Sequence, residues 1–536
     1  MSSLLRAARP RCATSHRSVR VVHTVLGGAA GIMWLVLPGM TINSDATVAH
    51  ARAGPVTSTA APQQDETSTT DLVLPLVAVG AAGVLAGYGF VRRTRRARTR
   101  TTPGGGPAAP PAPPPSDELD GRARELLVLA DDCVRTSREE LGFAEARSGA
   151  AAVAPFARAV REAVEELAVA FRMRQRYDDG VPGDATARRH AIAGIVGRCE
   201  EAGRRLDAEA AGFDRLRGLE RGVGKALEVA EARFRELTGR TGSAESALAA
   251  LDKRYGPSAL TSVTGHVEQA KDRLVFATSH LNQAHQASDV GNSRAAASRL
   301  RAAEGAVAQA AVFVGAVDRL AAELTRAASL VPAALTEAEA ALAEVREQVE
   351  GEAAASGGLP RVVGSADVPV GEMRARIAHA GLVLAAVREE LTAGPYDPLD
   401  ALRRIMRATA PVGWGRSGVL PATAVLVGRS ATAATADFVT THRGAVGSTA
   451  RTRLAEAERL LATDPTAADT LARQARDLAE QDVRVHGNPY TGAADPAIGV
   501  AGAVLGGILL GEEPDGGPPA SFGGPLTRAR RRLTPS

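Results

Sequence analysis

Residues Leu72–Val91 run for twenty positions without a charged side chain, and Arg92, Arg93, Arg95, Arg96, Arg98 and Arg100 follow at once. At about 1.5 Å of rise per residue the run covers roughly 30 Å, the thickness of a bilayer's hydrocarbon layer, so the pattern predicts a transmembrane helix over 72–91. Pro75 falls in the first turn, where a missing N–H costs little. The arginines behind the run place its C-terminal side in the cytoplasm, because positive charge is retained inside. Upstream, a basic stretch ending at Arg20, the apolar run Val21–Ile42 and the small-x-small triplet Ala51-Arg52-Ala53 read as a signal peptide or a first anchor over 1–53. A short extracytoplasmic segment at 54–71 separates the two. An Arg-rich and Pro/Gly-rich linker at 92–116 ends in TTPGGGPAAPPAPPPS, flexible and then semi-stiff.

Beyond the linker the apolar period changes to alternating steps of three and four. Leu260, Val263, Val267, Ala270, Leu274, Ala277, Leu281 and Ala284 form one such series. Leu300, Ala303, Val307, Ala310, Val314, Val317, Ala321, Leu324, Ala328 and Val331 form a second. A sustained 3.5-residue repeat makes a seam against a partner helix, and the short connection at Asp289–Asn292 makes the partners antiparallel. The spacing therefore predicts an antiparallel hairpin over 258–331 within a helical coiled-coil region at 117–486. Asp397-Pro398 and Asp464-Pro465 each pair an N-cap with proline at the first helical position, and Thr336 with Glu339 fits a capping box. Breaks are expected near Ser148-Gly149, Asp178–Asp184, Gly239–Gly242, Gly256-Pro257, Gly351–Gly371 and Gly487–Pro489. A Gly/Pro-rich tail at 487–536 carries one short apolar run, Ile498–Leu510, too short to span a bilayer. The expected fold class is all-α: a membrane-anchored set of long helices in antiparallel, coiled-coil-like hairpins or a bundle, with a disordered linker and tail.

Composition fits an elongated helical body. Aromatic residues are 3% of the 536, too few for a large aromatic core but enough for Ala/Leu/Val seams. The net charge of +4 hides a division. Sixteen of the 64 basic residues and four of the 60 acids lie outside 117–527, which leaves the body with 48 basic against 56 acidic residues. A mildly acidic body is a poor match for phosphate backbones, so no nucleic acid is expected as a partner. The basic flanks point to membrane lipid, and the seams to self-association or a helical protein partner. Cys12, Cys133 and Cys199 are far apart and form no CxxC, so they read as small semi-buried residues in a reducing compartment.

Several stretches together resemble the C-terminal helical region of actinobacterial TPM-domain-containing membrane proteins. They are GHVEQAKDRLVFATSHLNQA at Gly265–Ala284, LRAAEGAVAQA at Leu300–Ala310, VTTHRGAVGS at Val439–Ser448 and AEQDVRVHGNPY at Ala479–Tyr490. FAEARSGAAAVAPF at Phe143–Phe156, the anchor with its arginines and the tail words AVLGGILLG and SFGG extend the likeness from about residue 72 to 527. The resemblance implies an extracytoplasmic TPM domain with phosphatase-like activity, placed between signal peptide and anchor. The interval from Ala53 to Asp71 is too short to hold one, so no TPM site residue is carried over. A second departure is Met406–Gly428, which has no acid, contains Trp414 and two prolines, and breaks the helical rhythm.

Candidate chemistry is thin. His266, His280 and His285 do not share the four-residue spacing of zinc-binding histidines on one helical face, and read as surface or seam-edge residues. His442 and Arg443 beside Gly444 read as a helix C-terminus. Gly222-Val223-Gly224-Lys225 lacks the upstream glycine and the Ser/Thr of a phosphate loop. Asp131-Asp132 and Asp178-Asp179 read as solvated carboxylates, and Phe143, Phe156, Phe171 and Phe276 as helix-gap fillers. No catalytic, metal or cofactor set assembles. The sequence therefore predicts a non-catalytic, membrane-anchored cytoplasmic scaffold. A TPM-type phosphatase-like membrane protein and an inner-leaflet lipid-binding envelope-stress protein are the alternatives.

Overall fold

The hairpin predicted from the seams lies at the centre of the molecule. In the computed structural model, which describes residues 116–355, 368–412, 418–486 and 521–533, helix α5 (His266–Asp289) turns through Gly291 into helix α6 (Ser293–Ala355). The membrane segment at 72–91, the arginines at 92–100 and the apolar run at 498–510 lie outside the described residues. The described helices and turns all belong to one unit, residues 111–536.

The hairpin departs from its prediction at both ends. Leu260 and Val263 sit in a 3-10 turn, Pro257–Val263, rather than in the long helix, because Gly265 takes a left-handed φ of 76° that an α-helix cannot continue through. At the other end α6 runs 63 residues, about 95 Å at helical rise, straight past the expected capping box. Thr336 is mid-helix and its hydroxyl donates to the carbonyl of Pro332 one turn back, so it caps nothing. The apolar face continues through Val331, Ala334, Leu335, Ala338 and Leu342, all buried, and this burial carries the helix over its internal proline.

Around this spine the other helices form distinct layers. Helices α1 (Ser116–Ser148), α2 (Ala150–Asp178) and α3 (Ala185–Arg217) pack into a three-helix bundle with its own core of Leu127, Val160, Ile192, Ile195, Leu206 and Phe213. Helix α4 (Gly224–Arg254) lies along the hairpin, and α7 (Val370–Ala393) and α8 (Pro398–Thr409) cover the far half of α6. Helices α9 (Leu420–Thr441), α10 (Ser448–Leu460) and α11 (Pro465–Val485) form a second small bundle, with α9 against α6 and α10 against α1 and α2. Helix α12 (Pro525–Leu533) packs on α3 and α1. Among the described residues all twelve α-helices and both 3-10 turns leave no strand element, so the fold is all-α.

Local signals explain most boundaries. Asp397 accepts from the N–H groups of Leu399 and Asp400, and Asp464 from that of Ala467, each with proline next in line. Asp184 caps α3 through the N–H of Ala187. The expected break at Gly239–Gly242 is absent: both glycines lie inside α4, where burial of Leu237, Thr241 and Ala244 outweighs a glycine penalty of about 1 kcal/mol each. An unpredicted break falls after Arg217, where Gly218 adopts φ 57° and closes α3. Residues 521–533, within the stretch expected to be disordered tail, are folded, because the bundle supplies both an aromatic socket and acceptors for their backbone.

Candidate functional site

The ten seam residues occupy the interior. Leu260, Val263, Val267, Leu274, Val307, Val314, Val317 and Leu324 belong to the largest core, and Leu281 and Leu300 to a neighbouring one with Leu219, Val223 and Leu227. Alternate seam positions are Ala270, Ala277, Ala303 and Ala310, each fully buried, which lets the two backbones approach closely. The topology arginines Arg92, Arg93, Arg95, Arg96, Arg98 and Arg100 lie outside the described residues.

Where the hairpin meets α9 and α11, the interior turns polar. His266 of α5 stands edge-on to Phe313 of α6, with 5.0 Å between ring centroids. His442, at the end of α9, stacks on Phe438 at 4.2 Å, and Arg476 of α11 lies 3.8 Å from the centroid of that phenyl ring. Burial pushes both imidazoles down to about 4, helped at His266 by Arg476, His442 and Arg319 and at His442 by Arg273 and Arg476. Both are therefore neutral at pH 7. His280 is likewise buried and stacked on Phe276 at 3.9 Å, whereas His285 is exposed and 2.5 Å from Glu231. The three histidines of α5 thus serve three separate environments.

A narrow slot with about 10 Å³ of free space lies beside His266, lined also by Arg319, Glu323, Ser430 and Asp437. It is smaller than the roughly 300–1,000 Å³ clefts that hold small-molecule substrates. A serine, a histidine and an aspartate share this slot without forming a nucleophilic set. Ser430 donates its hydroxyl to Glu323 at 2.7 Å, Asp437 is ion-paired with Arg319, and no hydrogen bond joins Ser430 to His266. An activated serine needs its base within hydrogen-bond reach. Burial raises the carboxyls of Glu323 and Asp437, against the pull of Ser430 and Arg319 on the first and of Arg319 on the second.

A second polar centre ties the two small bundles together. Arg451 of α10 is 1% exposed at its side chain and reaches Asp131 and Asp132 of α1, each at 2.6 Å. Its remaining N–H groups donate to the carbonyls of Arg443 and Val446. Arg443 pairs with Glu139 at 2.7 Å, and Arg135 pairs with Asp131 and donates to Thr440. Asp131 and Asp132 are therefore not the solvated carboxylates the sequence predicts: they face α10, and the pattern of α1 alone does not reveal that neighbour. Burial works to raise the Asp131 carboxyl, but Arg135 and Arg451 together hold it below the ordinary range. Asp178 is also committed, to Arg174, while Asp179 is half exposed. His442 and Arg443 do occupy a helix end, but both are drawn inward.

The docked C-terminal segment has no counterpart among the features expected from the sequence. Phe522 is fully buried, stacked on Phe213 at 4.3 Å and edge-on to Phe156 at 6.0 Å. The N–H groups of Phe522 and Gly523 donate to Glu140 and Ser137, and Asp207 accepts from Gly524, Leu526 and Thr527, capping α12 from another helix. Gly203 and Gly524 are required at this contact. A Cβ on Gly203 would stand 2.6 Å from the Pro525 ring, and one on Gly524 would strike the carbonyl of Gly203. The signal is present as the SFGG word, but its meaning depends on a socket three hundred residues upstream.

Among the described residues no cluster of three or more His, Cys, Asp or Glu side chains is placed to hold a metal ion, and Cys133 and Cys199 are buried. One described helix, α6, is long and apolar enough to cross a membrane, yet 67% of its most apolar window is buried by its neighbours, as in a core helix.

The chain is similar to the UPF0603 proteins of Mycobacterium tuberculosis. It is 29% identical over 440 residues to UPF0603 protein Rv2345 of strain H37Rv, and equally to UPF0603 protein MT2410 of strain CDC 1551 / Oshkosh. The match covers 76% of this chain and 63% of each relative, so the chain spans less than two thirds of the length of the proteins it resembles. No protein-family model matches the chain. No solved structure matches it either.

Proposed function

We propose that this protein is a non-catalytic helical scaffold, anchored in the membrane through Leu72–Val91 with its body in the cytoplasm, and that it works by binding other helices or a second copy of itself. On this reading its anchor and helical body are like those of TPM-domain-containing membrane proteins. The observation that carries the proposal is the set of buried ion pairs that join one helix to another. Arg451, Arg217, Arg174 and Asp131 join separate helices, and in the slot beside His266 the serine is bonded to Glu323 and the aspartate to Arg319. Such wiring specifies a rigid shape rather than a reaction centre.

In-cell crosslinking followed by detergent extraction tests the reading. Specific adducts with a second copy or a discrete partner are expected. Recovery of monomer alone across crosslinker lengths, or phosphatase turnover by the purified full chain, overturns it.

A further inference from the structure

The guanidinium of Arg273 is buried, and among the described residues no acid pairs with it. The residue is 0% exposed. Its Nε donates to Oε1 of Gln309 at 3.3 Å, and its Cζ lies 5.2 Å from the centroid of Phe313. Nη1 and Nη2 are buried, and among the described residues no group accepts a hydrogen bond from either. Other deeply buried arginines are matched by carboxylates: Arg217 by Glu304, Arg174 by Asp120 and Asp178, Arg451 by Asp131 and Asp132. Asp272, next in sequence, is exposed on another face of α5.

The charge on Arg273 persists despite its surroundings. Burial lowers the guanidinium to about 10, with only Asp272 opposing, so it is cationic at pH 7. Its neighbours Gln309 and Phe313 bear no charge, and the nearby His442 is neutral at that pH. A buried ion without a counter-charge is costly, and the two terminal nitrogens leave four N–H donors without an acceptor. Gln269 and His266, one and two turns back on the same face of α5, also carry buried polar atoms, Oε1 and Nδ1, without a partner among the described residues. The unpartnered donors and the fixed charge of Arg273 select a negative occupant.

We propose that the Nη1/Nη2 edge of Arg273, where α5, α6 and the end of α9 meet, is a binding site for a small inorganic anion of the halide class. Complete enclosure favours an ion that sheds its water readily over a multiply charged oxyanion. The ion supplies the counter-charge that the chain withholds and couples the central hairpin to the α9–α11 bundle.

Thermal unfolding of the full chain in detergent, followed by circular dichroism at constant ionic strength, tests this with sodium chloride or bromide exchanged for sodium isethionate. A saturable rise of a few degrees in Tm with halide is expected, lost in Arg273→Met and retained in Arg240→Met, whose arginine lies on the surface. No halide-specific rise in the unaltered protein, or an equal rise in Arg273→Met, overturns the proposal. Should Arg273→Met fail to fold, crystals of the unaltered protein grown in bromide decide. An anomalous peak within hydrogen-bond reach of Nη1 and Nη2 supports the site; a water or a protein carboxylate in that position refutes it.

Discussion

Arg451 and Asp131 are 320 residues apart in the chain and 2.6 Å apart in space. Their pairing joins α10 to α1, and Asp132 shares the same guanidinium nitrogen. Removing one partner of a buried pair leaves an uncompensated charge, so Arg451→Met should cost about 3–5 kcal/mol in chemical denaturation. Asp131→Asn should cost less, because Asp132 still meets the arginine. Equal stability of the unaltered protein and Arg451→Met would show that the centre contributes nothing to the joint.

The junction histidines predict a pH dependence. His266 and His442 are held to about 4 when folded, whereas the same side chains titrate near 6.5 when unfolded. Between those values the unfolded chain binds more protons, so their contribution to stability falls as pH drops from 6.5 towards 4. Arg273, Arg319 and Arg476 reinforce this by disfavouring protonation. Glu323 and Asp437 act the other way, since their raised carboxyls take up protons earlier in the folded state. The histidine effect is therefore read as a difference: His442→Asn, which keeps a donor for the carbonyl of Phe438, should flatten the loss of Tm between pH 6.5 and 4.5. An unchanged slope would place His442 in water.

Docking of residues 521–533 is separable from the fold of the bundle beneath. Gly203→Ala should favour α3 by helix propensity, on the order of 1 kcal/mol, yet push a methyl into Pro525. Hydrogen exchange should then quicken across 521–533 and at the N–H groups bonded to Asp207, while α3 stays protected. Phe522→Ala should have the same local signature and a larger cost, about 3–5 kcal/mol of docking energy. Loss of protection throughout α1–α3 in both variants would make the segment part of the bundle's core instead.

The close seam predicts intolerance to bulk. Ala277 and Ala310 are fully buried between α5 and α6, so Ala277→Leu should destabilise by about 1–3 kcal/mol through overpacking, measurable as a lower denaturation midpoint. Val275, 71% exposed on the same helix, should accept leucine or threonine with little change.

What is legible in the sequence is what local physics decides. The heptad series reveals the hairpin, because an apolar face repeats wherever a helix lies on another helix. Asp397-Pro398 and Asp464-Pro465 mark two helix starts, because a cap acts within three residues. Thr336 and Glu339 mislead for the complementary reason: the cap motif fits, but the apolar face of α6 runs on beneath it. Asp131, Arg273 and Phe522 are opaque. A carboxylate on α1 looks solvated until α10 is laid over it, an arginine in a charged helix gives no sign of lacking an acid, and a phenylalanine among glycines in a tail has no visible socket. Each depends on contacts between parts of the chain that no single-segment pattern records.

The central claim is that Leu72–Val91 crosses a membrane and holds the helical body on the cytoplasmic side. Paired reporter fusions, one after residue 60 and one after residue 120, test it most directly, each made with a reporter active only outside and one active only inside the cytoplasm. The account predicts outside activity at 60 and cytoplasmic activity at 120. Cytoplasmic activity at both points, or outside activity at 120, would contradict it.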